Sequence, residues 1–276
     1  MRNFLRSYAR HPSGMIGLIL LLAIVVLAAL APVLFPGSPW DSAGDPFLPP
    51  HSAGALLGTD SLGRDIASGI AHGASVSLLI GCASTAAALV LGLAIGSISG
   101  YLGGRADAWL MRFTSMFQVI PGFLFALLLV AILTPSIKTL TIAIALVSWP
   151  QLARLVRAEF LSLRERDFVT AARCQGEPAW RIVMLHILPN ALSPIIVTAS
   201  LSIANAILIE SALSFMGLGD PNLMSWGFMI GAARTMIRVA WWMSVFPGLA
   251  ILLTVIAINL VGEGLNDVLN PRISRR

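Results

Sequence analysis

The chain has 276 residues, of which 57% are hydrophobic and only 11% are charged, and its mean hydropathy is +0.85. Soluble domains carry roughly 25% charged residues, so this composition indicates a membrane protein and argues against a soluble one. The net charge of +5 would by itself be compatible with a nucleic-acid partner, an alternative that depends on where the basic residues lie.

Six charge-poor windows match the length of a membrane-spanning helix, which needs about 20 apolar residues. The fourth is the weakest, because only fifteen uncharged residues separate Lys138 from Arg154, and its ends rely on side chains that snorkel to the interface. We therefore predict an all-α polytopic membrane protein. The six windows are residues 15–35, 76–99, 113–134, 137–157, 191–214 and 239–262.

The first window follows a basic start and resembles the beginning of a secretory signal peptide. Two features oppose cleavage. The apolar run is longer than a usual signal core, and Pro32 follows the only nearby small-x-small triplet, Ala29-Leu30-Ala31. We expect residues 1–14 to be a cytoplasmic N-terminus and residues 15–35 to be a retained transmembrane helix.

The basic residues predict the orientation, because cytoplasmic loops carry an excess of Lys and Arg. With six helices and the N-terminus inside, four basic residues lie outside, namely Arg64, Lys138, Arg234 and Arg238. The other fourteen lie inside: Arg2, Arg6, Arg10, Arg105, Arg112, Arg154, Arg157, Arg164, Arg166, Arg173, Arg181, Arg272, Arg275 and Arg276. Orientation thus explains the basic charge, which argues against nucleic acid as a partner and predicts that both termini are cytoplasmic.

Three loops are longer than a turn. Residues 36–75 and 215–238 are expected outside, and residues 158–190 are expected inside. The inside loop is the most charged stretch of the chain. Residues 76–276 would then form a core of five transmembrane helices around this loop.

The sequence of the inside loop predicts two helices joined by a turn. Residues 154–173 are strong helix formers without Pro or Gly, Gly176 suits the left-handed position after a helix end, and Pro178 suits the first turn of a second helix that Pro189 would close. An apolar stripe on the second helix predicts that it faces a partner, the membrane surface or its neighbours. The stripe consists of Trp180, Val183, Met184 and Ile187.

These residues resemble the EAA loop of bacterial ABC importer permeases, a pattern of Glu-Ala-Ala, three residues, Gly, nine residues, Ile, one residue and Leu-Pro. Two positions depart from the pattern: Thr170 stands in place of Glu and His186 in place of Ile. The resemblance implies that this loop docks into a separate ATPase and transmits its closure. The loop residues concerned are Thr170, Ala171, Ala172, Gly176, Trp180, His186, Leu188 and Pro189.

Further motifs are similar to the dipeptide/oligopeptide branch of these permeases, and to the second permease of the pair. They are LGTDSLGRD at 57–65, LSFMGLG at 213–219, Trp226-Gly227, and Phe246-Pro247-Gly248. The resemblance implies a six-helix type I importer permease in a bacterial inner membrane. It also implies a heterodimer with a similar permease, two cytoplasmic ATPases that bind ATP and Mg, and a periplasmic or lipid-anchored solute-binding protein. Nickel or metal-chelate importers share these motifs, and a passive channel is a further alternative.

The chain carries no ATPase site of its own. A phosphate-binding loop ends in Gly-Lys-Ser/Thr, whereas the only lysine, Lys138, follows Ile137. No arrangement of residues indicates an intramembrane protease. Cys82 and Cys174 show no metal-ligand spacing. We therefore expect no catalytic residue, metal site or cofactor in this chain.

Within the predicted spans, Glu210 is unusual because a charge at membrane depth is costly. It is either a residue of the translocation path or gate, with Arg234 or Arg238 as a candidate partner, or a hydrogen-bonded structural acid. Gly92, Gly96 and Gly100 repeat every four residues, which favours close helix packing inside the subunit or against the paired permease.

The outside loop before the second helix contains three charged residues, Asp60, Arg64 and Asp65. They are candidates for docking a solute-binding protein. Alternatively, Asp60 and Arg64 pair with each other and stabilise the loop.

Overall fold

The computed structural model describes residues 8, 9, 11–52 and 54–269. Within this part of the chain, β-pairing is limited to three isolated bridges. Six of the arginines that predict the orientation, at positions 2, 6, 10, 272, 275 and 276, lie outside the described residues, as do most of residues 1–14. The helices are α1 (Pro12–Leu34), α2 (Ile66–Leu102), α3 (Gly104–Phe117), α4 (Gly122–Ile132), α5 (Ile137–Arg164), α6 (Asp167–Cys174), α7 (Ala179–Leu218), α8 (Trp226–Ala233) and α9 (Trp242–Leu269).

Five of these helices, α1, α2, α5, α7 and α9, are long and apolar enough to cross a membrane, and α3 with α4 makes a sixth crossing if the bent pair is one span. The predicted all-α polytopic fold is therefore confirmed. The third window, residues 113–134, is not one continuous helix, because the chain bends by 71° between α3 and α4. Pro121 precedes α4 and has no N–H with which to continue the hydrogen bonding of α3.

The prolines of the apolar spans behave differently from one another. Pro150, Pro194 and Pro247 lie inside the continuous helices α5, α7 and α9. Only Pro121 coincides with a break in a span. Proline alone therefore does not decide where a buried helix is interrupted, since neighbouring groups can satisfy the carbonyl that it frees.

The repeated glycines of α2 pack directly against α5. A Cβ atom at Gly92 would lie 2.7 Å from the Leu152 Cβ, and one at Gly96 would lie 2.5 Å from the Ala153 carbonyl oxygen. At Gly100 it would lie 2.6 Å from the Phe160 Cβ. The predicted close packing is thus confirmed, and it occurs inside the subunit.

Helix α1 lies along α9, with its first residues beside the end of α9. The imidazole Nε2 of His11 lies 2.7 Å from the Asp267 carboxylate, and a Cβ atom at Gly17 would lie 2.6 Å from the Leu260 Cβ. The two chain ends that the structure describes therefore meet at one end of the bundle.

We call the end of α7 that follows residues 165–178 the loop end, and the opposite end of the bundle the far end. At the far end, the segment 36–65 packs on the first residue of α9, where the Trp242 indole N–H donates to the Thr59 carbonyl over 3.1 Å. Thr59 is fully buried, and its hydroxyl donates to the Asp45 carbonyl over 2.7 Å. Helix α2 begins in this region at Ile66, ten residues before the predicted start of the second span.

Candidate functional site

The turn after α6 has the predicted geometry. Gly176 has φ of +75°, which lies in the left-handed region. The N–H of Gly176 donates to the Arg173 carbonyl over 3.0 Å and that of Glu177 donates to the Ala172 carbonyl over 3.2 Å. This pair of bonds is a Schellman motif, which closes a helix and reverses the chain. The left-handed turn that the sequence predicts at Gly176 is therefore confirmed.

The helix before this turn is not continuous, contrary to prediction. Helix α5 ends at Arg164, Arg166 adopts an extended backbone, and α6 begins at Asp167. The break allows Val169 and Ala172 to join the buried cluster that contains Phe160. Burial of these apolar groups therefore outweighs the helix propensity of the stretch between 154 and 173.

The second helix does not end at Pro189, so that prediction is wrong. The helix that begins at Ala179 continues past Pro189 and Pro194 to Met216, and Gly217, with φ of +85°, interrupts it before Leu218. Residues 182–187 form a π-helical segment, in which the Leu188 N–H donates to the Val183 carbonyl five residues earlier. A proline clashes with the carbonyl four residues before it, and the wider π turn relieves that clash and lets the helix continue.

The π-helical segment also divides the predicted apolar stripe. Ile182 and Ile187, five residues apart, are both buried in a cluster with Val156 and Phe160 of α5. Trp180 is 66% exposed and Met184 is 57% exposed. The stripe predicted from a regular α-helix is therefore wrong in its register, because a π turn changes which residues share a face.

Three exposed apolar residues remain on the first turns of α7. They are Trp180, Met184 and Leu185, and we call them the docking face. Arg173 and Arg181 nearby are exposed as well. Exposed apolar groups bordered by charges are typical of a protein interaction site.

The residues that match the EAA pattern occupy different environments. Ala172 is buried, whereas Thr170, Ala171 and Pro189 are exposed. Leu188 is half-buried and packs against the cluster around Phe160. The pattern thus combines one residue that packs α6 onto α5 with others that remain accessible at the loop end.

His186, which departs from the pattern, has a partner that the sequence reasoning missed. Its Nε2 lies 3.0 Å from the Glu177 carboxylate. This bond ties α7 to the residue just after the Gly176 turn. The available signal was an acidic residue at the start of the predicted second helix and a histidine nine residues later on that helix.

The base of the loop is held by a second cluster that the sequence reasoning missed. The Arg157 guanidinium donates to both oxygens of Asp107, over 2.5 and 2.6 Å. The Ser99 hydroxyl donates to the same carboxylate, and Arg164 donates to the Gly100 carbonyl over 3.2 Å. These bonds join α5 to the last turn of α2 and the first turn of α3. The sequence signal for this cluster was Asp107, a single acidic residue among arginines that are predicted to be cytoplasmic.

Glu210 lies near the far end of α7 and is fully buried, with no exposed surface. Its Oε1 atom accepts hydrogen bonds from the Ser214 hydroxyl over 2.7 Å and from the Ser225 hydroxyl over 2.8 Å. The Ser211 hydroxyl lies 3.3 Å from Oε2. Among the described hydrogen bonds and ion pairs of Glu210, neither Arg234 nor Arg238 takes part, so the partners are hydroxyl groups.

The charged residues of the far-end segment make local bonds. Asp60 accepts from the backbone N–H groups of Leu62 and Arg64, over 2.7 and 2.9 Å. The Arg64 guanidinium lies over the Trp40 ring at 4.6 Å and is 3.9 Å from Asp60. Asp65 caps α2. All three side chains therefore contribute to the shape of this segment.

Metal binding finds no support in these groupings. Within the residues that the structure describes, no three His, Cys, Asp or Glu side chains come together as potential ligands.

Two family patterns match the chain. The family described as "Binding-protein-dependent transport system inner membrane component" matches residues 92–275. The family described as "N-terminal TM domain of oligopeptide transport permease C" matches residues 1–50. The first covers more than half of the chain, including the loop and the docking face.

Similar proteins match over nearly the whole chain. The di/tripeptide transport system permease protein DppC of Pseudomonas aeruginosa is 42% identical over 99% of this chain and 92% of its own length. The dipeptide transport system permease proteins DppC of Escherichia coli K12 and Alkalihalophilus pseudofirmus are 40% and 39% identical. These alignments cover 100% and 99% of this chain, and 94% and 90% of the relatives.

Proposed function

We infer the function of this chain from its family: it belongs to the binding-protein-dependent transport system inner membrane components, and its fold is that of a type I ABC importer permease. It is a membrane-embedded permease subunit and not itself an enzyme. We propose that it forms one half of a translocation path for dipeptides and oligopeptides. A second, homologous permease would form the other half.

The proposed cargo is supported by the relatives, which are named as dipeptide or di/tripeptide permeases and align with the chain from end to end. These names do not favour a nickel or metal-chelate importer. A passive channel is disfavoured because the family is defined by transport that depends on a binding protein.

We propose that the docking face inserts into a cleft of a cytoplasmic ATPase, with one ATPase for each permease. The observation that carries this proposal is the Schellman turn at Gly176, which directs the chain into α7 and leaves Trp180, Met184 and Leu185 exposed. ATP and Mg would be bound by the ATPase subunits. Since Arg173 and Arg181 are exposed near this face, the cleft would have an acidic rim.

The proposed orientation places the loop end in the cytoplasm. Most of the basic residues are expected inside on the positive-inside rule. Arg157 and Arg164 of α5 both bond to the region of the α2–α3 turn, which brings the basic ends of these helices to one end of the bundle. Both termini would then be cytoplasmic and the far end would face the periplasm or the cell exterior.

A solute-binding protein, periplasmic or lipid-anchored, would meet the far end. We propose the segment 36–65 as part of that surface. Asp60, Arg64 and Asp65 would hold the segment in shape through the bonds described above, and other residues of the segment would supply most of the contact.

The test is reconstitution of the chain with its partner permease, its ATPases and its binding protein in lipid vesicles. A labelled dipeptide should accumulate in the compartment that contains the ATPases, and only when ATP is present in that compartment. Equilibration of the dipeptide without ATP would contradict the importer proposal and favour a channel. Uptake of chelated nickel with no competition by dipeptide would contradict the proposed cargo.

A further inference from the structure

Helix α7 connects the two ends of the molecule as one element. It contains 40 residues, and its backbone is helical from the docking face to Met216, the residue before Gly217. At 1.5 Å per residue, it is about 60 Å long, which exceeds the thickness of a bilayer. A displacement of the docking face is therefore transmitted along a single helix, with no loop between the two ends to absorb it.

The far end of α7 is in direct contact with α8. The chain reverses at Gly217, which has φ of +85°, and α8 then packs back on the last turns of α7. A Cβ atom at Gly227 would lie 2.6 Å from the Ser211 Cα, and one at Gly231 would lie 2.9 Å from the Ser214 carbonyl oxygen. The backbones of the two helices therefore touch.

One carboxylate oxygen links the two helices. Oε1 of Glu210 accepts from Ser214, one turn later on α7, and from Ser225, the residue that caps α8. Ser225 uses the same hydroxyl oxygen to accept the Phe228 N–H over 3.1 Å. Glu210 thus bonds to the N-terminal cap that determines where α8 begins.

We propose that Glu210 is a positioning residue that makes α7 and α8 move as one body during the transport cycle. This inference rests on the proposed function. Helix α8 and the end of α7 line a cavity of about 440 Å³ at the far end, with Arg234 and Thr235 among its lining residues. Movement of the docking face would therefore be delivered to the wall of this cavity.

Burial distinguishes this role from direct contact with cargo. Glu210 has no exposed surface in the subunit, and its oxygens already have hydroxyl partners. A residue that binds cargo must present a free polar atom to the path. The role of Glu210 is therefore to hold α8, and the bridging oxygen is the part of the side chain that the role requires.

The experiment uses the complete reconstituted transporter and compares four variants. Glu210→Gln keeps a carbonyl oxygen that can accept from Ser214 and Ser225, whereas Glu210→Ala removes the acceptor. Ser214→Ala removes one donor and leaves the cap of α8 intact. Ser202→Ala is the matched control, since its hydroxyl bonds only within α7, to the Thr198 carbonyl.

Two quantities are measured for each variant, dipeptide uptake and ATP hydrolysis stimulated by the binding protein. We expect uptake per ATP hydrolysed to fall about tenfold in Glu210→Ala and about threefold in Ser214→Ala, because buried partners lose their hydrogen bonds. Glu210→Gln should stay within about twofold of the wild type. Ser202→Ala should match the wild type.

The inference is overturned if Glu210→Ala or Ser214→Ala keeps the wild-type ratio of uptake to hydrolysis. It is also overturned if Glu210→Gln is as defective as Glu210→Ala, because the negative charge would then be what matters. Should Glu210→Ala fail to assemble, Ser214→Ala and Glu210→Gln still decide the question. Failure of the wild-type complex to import a dipeptide would instead count against the proposed function.

Discussion

The two ends of α7 are built in opposite ways. At the loop end, Trp180, Met184 and Leu185 are exposed, and the chain enters the helix through a glycine turn. At the far end, Glu210 is fully buried and α8 is packed against α7 with backbone contact. The loop end thus has the properties of a surface that binds a partner protein. The far end has those of a packed contact between two helices of the same subunit.

This contrast separates two kinds of defect. Changes at the loop end should disturb the partnership with the ATPases while the subunit stays folded. Changes at the far end should disturb the subunit itself. Each substitution below tests whether the two ends really differ in this way.

The largest effect is expected from Gly176→Pro. Proline requires φ near −65°, which is incompatible with the observed +75°. Uptake should fall to the level of vesicles without ATP, while membrane insertion, measured by extraction, remains normal. Deletion of residues 174–181 should give the same result. Gly176→Asn is the control, because Asn tolerates the left-handed region, and normal uptake in the deletion variant would refute the coupling role.

The next effect is expected from Leu185→Asp, which puts a charge on the docking face. A charge buried in an interface costs enough to reduce ATPase binding by about tenfold or more. The measurement is the fraction of ATPase that copurifies with the permease pair. Leu56→Asp is the matched control, since Leu56 is 66% exposed but lies in the far-end segment. Equal loss in both variants would mean that the docking face has no special role.

A moderate effect on stability is expected from Gly227→Ala at the far end. The added Cβ would lie 2.6 Å from the Ser211 Cα, and such overpacking costs about 1–3 kcal/mol. Thermal unfolding of the purified complex should show the loss. Gly248→Ala is the control, because a Cβ there meets no atom within 4 Å. The proposed difference between the two ends would be contradicted if Gly227→Ala reduced ATPase binding without lowering the thermal stability of the complex.

The smallest effect is expected from His186→Ile, which introduces the residue of the EAA pattern. It removes the 3.0 Å bond to Glu177, but both side chains are partly exposed and water can replace it. Uptake should remain within about twofold of the wild type, as for other solvent-accessible pairs of this type. A loss of most uptake activity would show that the His186–Glu177 bond itself maintains the turn during docking.

Sequence reasoning succeeded where the signal is local. The transmembrane windows follow from runs of apolar residues, and the turn at Gly176 follows from one residue that readily adopts positive φ. The glycine repeat of α2 predicted close packing, although the choice of α5 as its partner needed the structure.

It failed where distant parts of the chain decide the outcome. Pro121 interrupts a span while Pro194 does not, because neighbouring elements determine whether the freed backbone groups are satisfied. The π-helical segment before Pro189 shifted the apolar register by changing the residues that share a face. For Glu210, the partner Ser214 lies one turn away, but Ser225 is reached only after the chain reverses.

Cys174 is the last residue of α6, immediately before the Gly176 turn, and its thiol is exposed. The only other cysteine, Cys82, lies within α2, and a Cys82→Ser variant would leave Cys174 as the single thiol. A fluorophore attached to the native Cys174 would then lie six residues before Trp180 of the docking face, with no loop residue substituted. Engagement and release of the ATPase could be followed in real time, in the assembled transporter, as changes in emission from this one label.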